Sequence, residues 1–580
     1  MSREESSRGQ GDSRRRGAAE GRPERNGAGR ADRRPAGSGG AGREGRAGGP
    51  RGASGDKRGS GGGRAGAAGD RGASTGRSGA SGGRGDGGRA GSGGGERGST
   101  RGATGSGGGK RHGGAGGGRS GGDQRQRHGG PARSAGSGVD PAREAALEVL
   151  RAVRERDAYA NLVLPALLRE RKISGRDAAF ATELTYGACR SLGILDEIIG
   201  ECAGRSLHDI DGPVLDVLRL GVYQLLRTRV GAHAAVDTSV RLATAEFGPG
   251  RAGFVNAVLR RASERDAEGW VELLAPADPV GHLAFEFAHP IWIADAFADA
   301  LGERAGELGA LLAADDERPA VHLIARPGDI TAEELALVTG GEEGRWSPYA
   351  VYLDGGDPGQ LEPVREGMAA VQDEGSQLVA LSLTRAPLLG PDQGRWLDLC
   401  AGPGGKAALL GALAEIDGFH VDAVEPSEHR AELVRKTTRN APVTVHVVDG
   451  RDSGLTPGYD RILVDAPCSG LGALRRRPEA RWRRTPDDVR ELTVLQRELL
   501  SAAWELVRPG GVVVYSTCSP HLAETVSVVA DFVRHCGAEQ LDTRELLPGV
   551  TDLGEGPSAQ LWPHRHGTDA MFMAALRKPR

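Results

Sequence analysis

LDLCAGPGGK, at residues 397–406, is the stretch that decides the fold of this chain. It begins within a short apolar run, 396–399, that predicts a buried strand, and it leads into an Ala- and Leu-rich segment, 406–413, that predicts a helix. A Gly-rich turn between strand and helix lets a nucleotide-like cofactor approach the first helical N–H groups. A tight turn without a ligand would have the same composition, so this stretch alone does not decide between the two.

Later residues favour a ligand at this turn. Glu425 ends the next apolar run, about twenty residues further on, where an acid can hold a ribose diol. The stretches DAPCSG at 465–470 and STCS at 516–519 each follow a predicted strand. Because parallel strands present their carboxyl ends at one edge of a sheet, we expect both stretches to lie beside the turn.

Charge is distributed unevenly along the 580 residues. Residues 1–139 hold 26 Arg and 2 Lys against 12 acidic residues, a net charge of +16, and the remainder has a net charge of −19. The first segment is rich in Gly, Arg and Ser and cannot bury a core, so we predict that it is disordered. Its Arg-Gly pairs suit non-specific contact with nucleic acid phosphates, and they are equally compatible with a solvated tail that catalysis does not need.

Cysteine spacing and hydropathy restrict the class further. No two of the six cysteines have CxxC spacing, which argues against a zinc site or a redox pair, and we predict no bound metal. The chain has no apolar run long enough to cross a membrane and no apolar signal region at its N-terminus. We therefore expect a soluble cytoplasmic protein whose thiols are free for chemistry.

The pattern divides the chain into four segments. They are the disordered Gly/Arg-rich tail at 1–139, an all-α domain at 140–270, a small α/β substrate-positioning region at 280–390, and an α/β domain with a doubly wound, mainly parallel sheet at 391–580. In the all-α domain we predict helices at 145–153, 178–192, 194–202, 213–227, 235–247 and 253–262. In the last domain we predict strands at 395–400, 419–424, 443–448, 460–465 and 511–516, and a closing hairpin from 560–563 and 571–576.

The motifs of the last domain together resemble the RNA cytosine-C5 methyltransferases of the RsmB/Sun type, which have a Rossmann-like class I fold. The matching stretches are LDLCAGPGGK at 397–406, VDAPCSG at 464–470, RRRP at 475–478 followed by Trp482, and YSTCS at 515–519. The all-α domain resembles the NusB fold, which binds RNA or protein partners, in ELTYG at 183–187, LRLGVYQLL at 218–226 and FVNAVLRR at 254–261. The resemblance covers residue 141 to the end. It implies that S-adenosyl-L-methionine methylates a cytosine of 16S (small-subunit) ribosomal RNA, and we expect a monomer.

The resemblance also implies site residues. Cofactor contacts would come from Cys400, Ala401, Gly402, Pro403, Gly404, Gly405, Lys406, Glu425, Asp449 and Asp465. Glu425 would hold the ribose, and Asp449, with Asp452 as an alternative, would reach the adenine amino group. Asp465 would also contact the target base, whereas Cys400 suits packing better than catalysis.

Two cysteines compete for the nucleophile. A thiolate that adds to C6 of cytosine makes C5 reactive towards a methyl group, and it departs readily afterwards. In DNA cytosine-C5 enzymes the Pro-Cys cysteine attacks, and this chain has such a pair at Cys468. In the RNA family the Thr-Cys cysteine attacks, which implies Cys518 as nucleophile and Cys468 as the residue that assists product release.

Arginines predict the RNA contacts. The densest basic cluster lies beside Cys468 and contains Arg475, Arg476, Arg477, Arg481, Arg483 and Arg484, with Trp482 placed to stack on a base. An exposed charged helix is the alternative. Further candidates in the helical domain are Arg190, Arg227, Arg260 and Arg261, each of which ordinary helix-surface charge explains equally well. The family commonly ends in an Asp-Gly-Phe-Phe-like stretch; here Asp569-Ala570-Met571-Phe572 should alter packing near the cofactor pocket without abolishing activity.

Other functions remain open at this point. The same chemistry could act on another RNA such as tRNA, or the chain could methylate DNA or an amine. The cysteine pair argues against amine transfer, which needs no thiol, and the NusB-like domain argues against DNA. A non-catalytic RNA-binding or antitermination protein is disfavoured because the cofactor turn and both cysteines are intact.

Overall fold

The computed structural model describes residues 139–580, so the predicted disorder of the Gly/Arg-rich tail lies outside the described residues. The described part contains a helical domain, a small antiparallel sheet with its helices, and a large mixed sheet. This arrangement confirms the predicted fold class. Within this part of the chain, no helix is long and apolar enough to cross a membrane.

Eight helices build the first domain. They are α1 (Pro141–Arg156), α2 (Ala160–Glu170), α3 (Gly175–Arg190), α4 (Leu192–Ala203), α5 (Gly212–Arg227), α6 (Ala232–Phe247), α7 (Pro249–Ala262) and α8 (Ala267–Leu274). Helix α1 begins where the Asp140 side chain accepts a hydrogen bond from the Ala142 N–H, and it ends at Asp157 in a left-handed conformation. The apolar faces of these helices meet in one core. The six predicted helices are all present, whereas α2 and α8 were not predicted.

A second region connects the helical domain to the large sheet. It contains α9 (Pro279–Glu286), α10 (Ile291–Leu301), α11 (Leu308–Asp316), β1 (Val321–Ala325), α12 (Ala332–Thr339), β2 (Glu342–Glu343), β3 (Ala350–Leu353), α13 (Glu362–Glu366), β4 (Ala369–Val371) and α14 (Glu374–Arg385). The four strands pair antiparallel in the order β2-β3-β1-β4. Strand β4 leads directly into α14, which packs on the large sheet.

The large sheet contains the predicted motifs. Its elements are β5 (Arg395–Asp398), α15 (Gly405–Ile416), β6 (His420–Val424), α16 (Glu428–Thr437), β7 (Val443–His446), β8 (Tyr459–Asp465), α17 (Ala480–Arg483), α18 (Pro486–Leu506), β9 (Val507–Thr517), α19 (Val526–Cys536), β10 (Glu539–Gln540), β11 (Ala559–Gln560), α20 (Pro563–His566) and β12 (Phe572–Arg577). The order is β10-β12-β9-β8-β5-β6-β7, with β11 paired to β12. Strands β5 to β9 pair parallel, whereas β12 is antiparallel to β9 and to β11, which confirms the closing hairpin.

The strand order positions the site. From β5 the chain passes outwards to β6 and β7, and it returns to β8 on the other side of β5. Such a reversal opens a crevice at the carboxyl ends of the central strands, where open α/β sheets bind their ligands. Helices α14 and α15 cover one face of the sheet, and α18 and α19 cover the other, so the strands are buried on both sides.

Candidate active site

The Gly-rich turn after β5 is shaped to let Glu425 approach it. A Cβ at Gly402 would lie 2.1 Å from Glu425 Oε2, so a larger residue there would displace the carboxylate. Glu425 is 2% exposed, and its Oε2 lies 3.2 Å from the Arg430 guanidinium. Gly404 has a φ of +112°, and a Cβ there would approach the Val434 backbone to 3.0 Å. The turn therefore lies directly beside a buried carboxylate, an arrangement in which an acid can hydrogen-bond to a ribose diol.

Lys406 links the turn to the catalytic edge of the sheet. Its Nζ donates to Asp465 Oδ2 at 2.8 Å and to Ser376 Oγ of α14 at 3.1 Å. Burial lowers the pKa of Lys406, but the adjacent Asp465 carboxylate outweighs this effect and the pKa is raised overall. Asp465 Oδ1 in turn accepts a hydrogen bond from Ser516 Oγ at 3.0 Å. The Asp465 carboxylate is thus held in one orientation beside the ends of β8 and β9.

The two predicted catalytic cysteines lie together. Cys468 Sγ and Cys518 Sγ are 3.4 Å apart, each half-buried in the loop that follows its strand. Either thiol could donate in this hydrogen bond, and the contact with Cys468 lowers the pKa of Cys518 even though burial and Asp465 raise it. The same contact, together with burial, raises the pKa of Cys468 well above its usual value. The directions of the two pKa shifts favour Cys518 as the nucleophile.

Asp398 and Cys400 lie under the turn. Asp398 is 1% exposed, and its Oδ2 has no hydrogen-bond partner within the described residues. Burial, reinforced by the charge of Asp465, raises the pKa of Asp398 to about 7. Cys400 packs against the apolar cluster beneath the sheet, and burial also raises its pKa. This placement suits the packing role that the sequence predicts for Cys400.

Asp449 and Asp452 are both exposed, and both follow β7. The Asp449 carboxylate is bound by the Arg451 guanidinium at 2.7 Å, and this hydrogen bond lowers the pKa of Asp449. Arg451 also contacts Glu498 of α18. Both aspartates lie at the same edge of the sheet, and contact with an adenine stays a prediction for either.

Two arginines of the basic cluster point inwards. Arg475, which is 7% exposed, and Arg476 both pair with the buried carboxylates of Asp373 and Asp569, at nitrogen–oxygen distances of 2.7–3.3 Å. Asp569 opens the C-terminal stretch that departs from the family pattern, and the following Ala570 N–H donates to the loop after Cys468. The structure therefore assigns Arg475 and Arg476 to an internal ion-pair network in place of the predicted RNA contacts.

Short helix α17 is likewise embedded in the helical part of the protein. Arg481 is fully buried and donates to the Ala288 carbonyl at 3.1 Å and to Asp316 Oδ1 at 2.9 Å. The Trp482 indole N–H donates to the Arg190 carbonyl at 3.2 Å, and its ring occupies the space where a Cβ at Gly193 would be. These internal contacts replace the phosphate contact predicted for Arg481 and the base stacking predicted for Trp482. Sequence reasoning failed here because charge density does not reveal which guanidinium groups are desolvated.

The neighbouring residues of α17 extend the same connection. The Arg483 guanidinium donates to the carbonyls of Val153 and Ala158, at the end of α1, at distances of 3.1 and 2.6 Å. Arg484 Nε donates to the carbonyl of Ser469, the residue after Cys468, at 3.0 Å. Trp482 and Arg483 therefore join α17 to the helical domain, and Arg484 joins it to the Cys468 loop.

Other predicted RNA contacts remain accessible. Arg477 is exposed, lies above the ring of Tyr159 at 5.7 Å, and is close enough to Cys518 for its charge to lower the pKa of that thiol. Arg260 and Arg261 are exposed on α7, although Arg260 Nε donates to Asn256 Oδ1 at 3.2 Å and the Arg261 guanidinium donates to the Cys202 carbonyl at 2.6 Å. Two further candidates are partly engaged: Arg227 donates to the Glu286 carbonyl, and burial lowers the pKa of Arg190.

Sequence reasoning missed Ser376 and Ser516, which hold Lys406 and Asp465. Ser516 lies inside the YSTCS stretch, so its proximity to Cys518 could have been noticed. Ser376 gives no comparable signal, because α14 reaches the site only through the tertiary fold. Within residues 139–580, no group of three or more His, Cys, Asp or Glu side chains is arranged to hold a metal ion.

The last domain combines a doubly wound sheet, a Gly-rich turn that faces a buried acid, and a thiol pair at the adjacent strand ends. These features define a methyltransferase of the Rossmann-like class. The sequence profile described as 16S rRNA methyltransferase RsmB/F matches residues 386–577, and the profile of the NusB family matches residues 140–264. The chain belongs to the RsmB/F family of S-adenosylmethionine-dependent rRNA methyltransferases and has a NusB domain before its catalytic domain.

Relatives support this assignment, and a solved structure supports the fold. A Mycobacterium tuberculosis (strain ATCC 25618 / H37Rv) protein named as a methyltransferase, Rv1407, is 66% identical over 444 residues, which cover 76% of this chain and 97% of that protein. The ribosomal RNA small subunit methyltransferase B of Pseudomonas putida (strain KT2440) is 33% identical over 450 residues, 75% of this chain and 98% of that protein. The crystal structure of PH0851 matches with a TM-score of 0.64 at 22% identity, over 75% of this chain and 98% of that chain, which supports the fold.

Proposed function

We propose that this protein transfers a methyl group from S-adenosylmethionine to C5 of a cytosine in 16S ribosomal RNA, through a covalent bond between Cys518 Sγ and C6 of the base. The observation that carries the proposal is the thiol pair, 3.4 Å apart and next to the Lys406–Asp465 ion pair. Methyl transfer to an amine needs no thiol, whereas activation of a pyrimidine C5 requires a nucleophile that adds to C6.

The residues of the turn fit the cofactor. Glu425 is buried at the end of β6 with a glycine opposite it, and its carboxylate, which accepts from the Ser427 N–H and contacts Arg430, has further lone pairs for two ribose hydroxyl groups. The N-cap of α15 is Gly404, whose lack of a side chain leaves the first helical N–H groups free for a ligand. When bound, S-adenosylmethionine would supply an electrophilic methyl group on sulfur.

The thiol pair can serve both addition and release. The hydrogen bond from Cys468 favours the Cys518 thiolate, which adds to C6 and moves electron density towards C5. The Asp465 carboxylate, held by Lys406 and Ser516, can accept a hydrogen bond from the N4 amino group and so orient the ring. After C5 has been methylated, a water molecule accepts the C5 proton, the electrons of the C5–H bond form the C5=C6 double bond, and the C6–S bond breaks to release the Cys518 thiolate. The Cys468 S–H then stabilises the departing sulfur.

RNA recognition is proposed for both halves of the protein. The target base must leave its stack to reach a half-buried thiol, so a cytosine in a loop or a single strand is the natural substrate. Arg477 at the mouth of the site and Arg260 and Arg261 on the helical domain are exposed and can contact phosphates. Action as a monomer in the cytoplasm stays a prediction.

Methyl transfer from labelled S-adenosylmethionine to unmodified 16S rRNA tests the proposal. The wild type should label a cytosine, Cys518→Ala should be inactive, and Cys468→Ala should accumulate a covalent RNA adduct that resists denaturing gel electrophoresis. Cys536→Ala is the matched control, because this thiol is exposed at the end of α19 and should leave activity unchanged.

Other outcomes would revise specific parts of the proposal. An adduct with Cys518→Ala and none with Cys468→Ala would exchange the roles of the two thiols. Labelling of tRNA without labelling of 16S rRNA would keep the chemistry and change the substrate. Absence of labelling with every RNA would refute the proposed activity.

A further inference from the structure

The two residues after β4 and the first turn of α14 together form a segment beside the proposed active site, where Ser376 contacts Lys406. It runs QDEGSQ over residues 372–377. Its acidic side chains are fully engaged within the protein: Asp373 binds Arg475 and Arg476, and Glu374 accepts hydrogen bonds from the N–H groups of Trp346 and Ser347.

Gln372 is the exception in this segment. Ser376 Oγ binds Lys406, and Gln377 Nε2 donates to the Leu323 and Gln372 carbonyls. The Gln372 side chain is 8% exposed, and within the described residues neither its Oε1 nor its Nε2 has a hydrogen-bond partner. Leaving a buried amide unpaired destabilises the fold, so such a group is expected to pair with a ligand.

The Gln372 amide is aimed at the N-terminus of α15. A Cβ placed on Gly405, the first residue of that helix, would lie 3.6 Å from both Cδ and Nε2 of Gln372. The first hydrogen bond across the cap runs from the Ala408 N–H to the Gly404 carbonyl. The three N–H groups before Ala408, in the part of the chain that the structure describes, therefore remain available beside the amide.

The two ends of the turn face different side chains. Gly402 faces the Glu425 carboxylate, and Gly405 faces the Gln372 amide. If the ribose lies at Glu425, as the proposed function requires, the remainder of the cofactor extends past Gly405. There it would meet an amide that both donates and accepts hydrogen bonds, and a helix N-terminus that favours a negative charge.

We propose that Gln372 binds the amino-acid end of the methyl donor: its Nε2 donates to the carboxylate, and its Oε1 accepts from the ammonium group. The N-terminus of α15 shares the carboxylate. This inference rests on the proposed function for the identity of the cofactor and adds the residue that distinguishes an adenosyl amino acid from a simple nucleoside.

Calorimetric titration of the full chain with two ligands tests the inference without any methyl transfer. S-adenosylhomocysteine has the amino-acid end, whereas 5′-methylthioadenosine shares the nucleoside and lacks it. Gln372→Met keeps the length of the side chain, and it should raise the Kd of S-adenosylhomocysteine about 10- to 100-fold, as expected for the loss of hydrogen bonds to charged groups. The Kd of 5′-methylthioadenosine should stay within about twofold.

Two further variants complete the design. Gln372→Glu places a negative charge beside the ligand carboxylate, and it should weaken S-adenosylhomocysteine at least as strongly as Gln372→Met while sparing 5′-methylthioadenosine. Gln360→Met changes an exposed glutamine in another loop and should leave both Kd values unchanged. Circular dichroism verifies that each variant is folded.

The remaining outcomes overturn the inference. Equal weakening of both ligands by Gln372→Met would assign Gln372 to the shape of the turn. An unchanged S-adenosylhomocysteine Kd combined with weaker RNA adduct formation would assign the amide to the target base. If the wild type binds neither ligand, the cofactor of the proposed function fails, and this result is distinct from the failure of Gln372 alone.

Discussion

Replacing Arg481 with Met tests whether the basic segment after Cys468 holds the protein together or binds RNA. Arg481 is fully buried and donates to the Asp316 carboxylate and to three backbone carbonyls, those of Phe287, Ala288 and Asp315. Removing one member of a buried ionic contact typically costs about 3–5 kcal/mol, because the remaining polar groups lose their partner. Burial already raises the pKa of Asp315 to about 6, and the Arg481 charge opposes that rise. The free energy of unfolding should therefore fall by about 3–5 kcal/mol.

Arg477→Met is the matched comparison, since Arg477 lies four residues earlier in the same cluster and is exposed. It should change stability by less than about 0.5 kcal/mol. If Arg477 contacts a phosphate, the slope of log K against log salt for RNA binding should become shallower by about 0.7–1. Urea unfolding and salt-dependent RNA binding are measured on both variants. The reasoning is refuted if Arg481→Met flattens the salt slope while leaving the stability of the folded protein intact.

Three further predictions concern the catalytic edge. In Cys468→Ala, loss of the hydrogen bond between the thiols should raise the pKa of Cys518. Alkylation of Cys518 by iodoacetamide, measured by mass spectrometry, should therefore require a higher pH. An unchanged pH profile would contradict the hydrogen bond. Asp398 has a pKa raised to about 7, so its ionisation destabilises the fold as pH rises from 4 to above 7. Asp398→Asn should therefore be more stable than wild type at pH 8, by up to about 4 kcal/mol, and equally stable near pH 4. Thermal unfolding at both pH values measures this difference. Gly402→Ala places a Cβ 2.1 Å from Glu425 Oε2 and should abolish S-adenosylhomocysteine binding in calorimetry. Retention of wild-type affinity would show that ligand binding does not need the close contact between Gly402 and Glu425.

The sheet and its site edge could be predicted because their signals are local. Apolar runs of four to six residues bounded by Gly, Asp and Pro mark β5, β6 and β8, and the position of the motifs after these strands follows from the parallel order. The proximity of Cys468 and Cys518 needed only the rule that parallel strands end at one edge. Six of the eight helices of the first domain were predicted from periodicity in the same way, and α2 and α8 were not.

Features that depend on packing could not be predicted in this way. Helix α2 contains Pro165, which removes a helical N–H and lowers any expectation of a helix, yet the burial of Leu164 and Leu167 compensates for that loss. The inward orientation of the Arg481 side chain could not be predicted for a related reason. A run of arginines has the same composition whether its side chains face water or carbonyl oxygens, and only the positions of α9 to α11 decide which.

The contacts of α17 also bear on how this protein could be divided. Two family profiles match separate parts of the chain, as if the helical domain and the methyltransferase domain were independent modules. Yet the side chains of Arg481, Trp482 and Arg483 end among groups that lie before residue 320. A catalytic half expressed alone would present a tryptophan and several unpaired guanidinium groups to solvent beside its own Cys468 loop. Gene fission between the two halves would therefore require simultaneous change at α17, which favours their inheritance as a single chain.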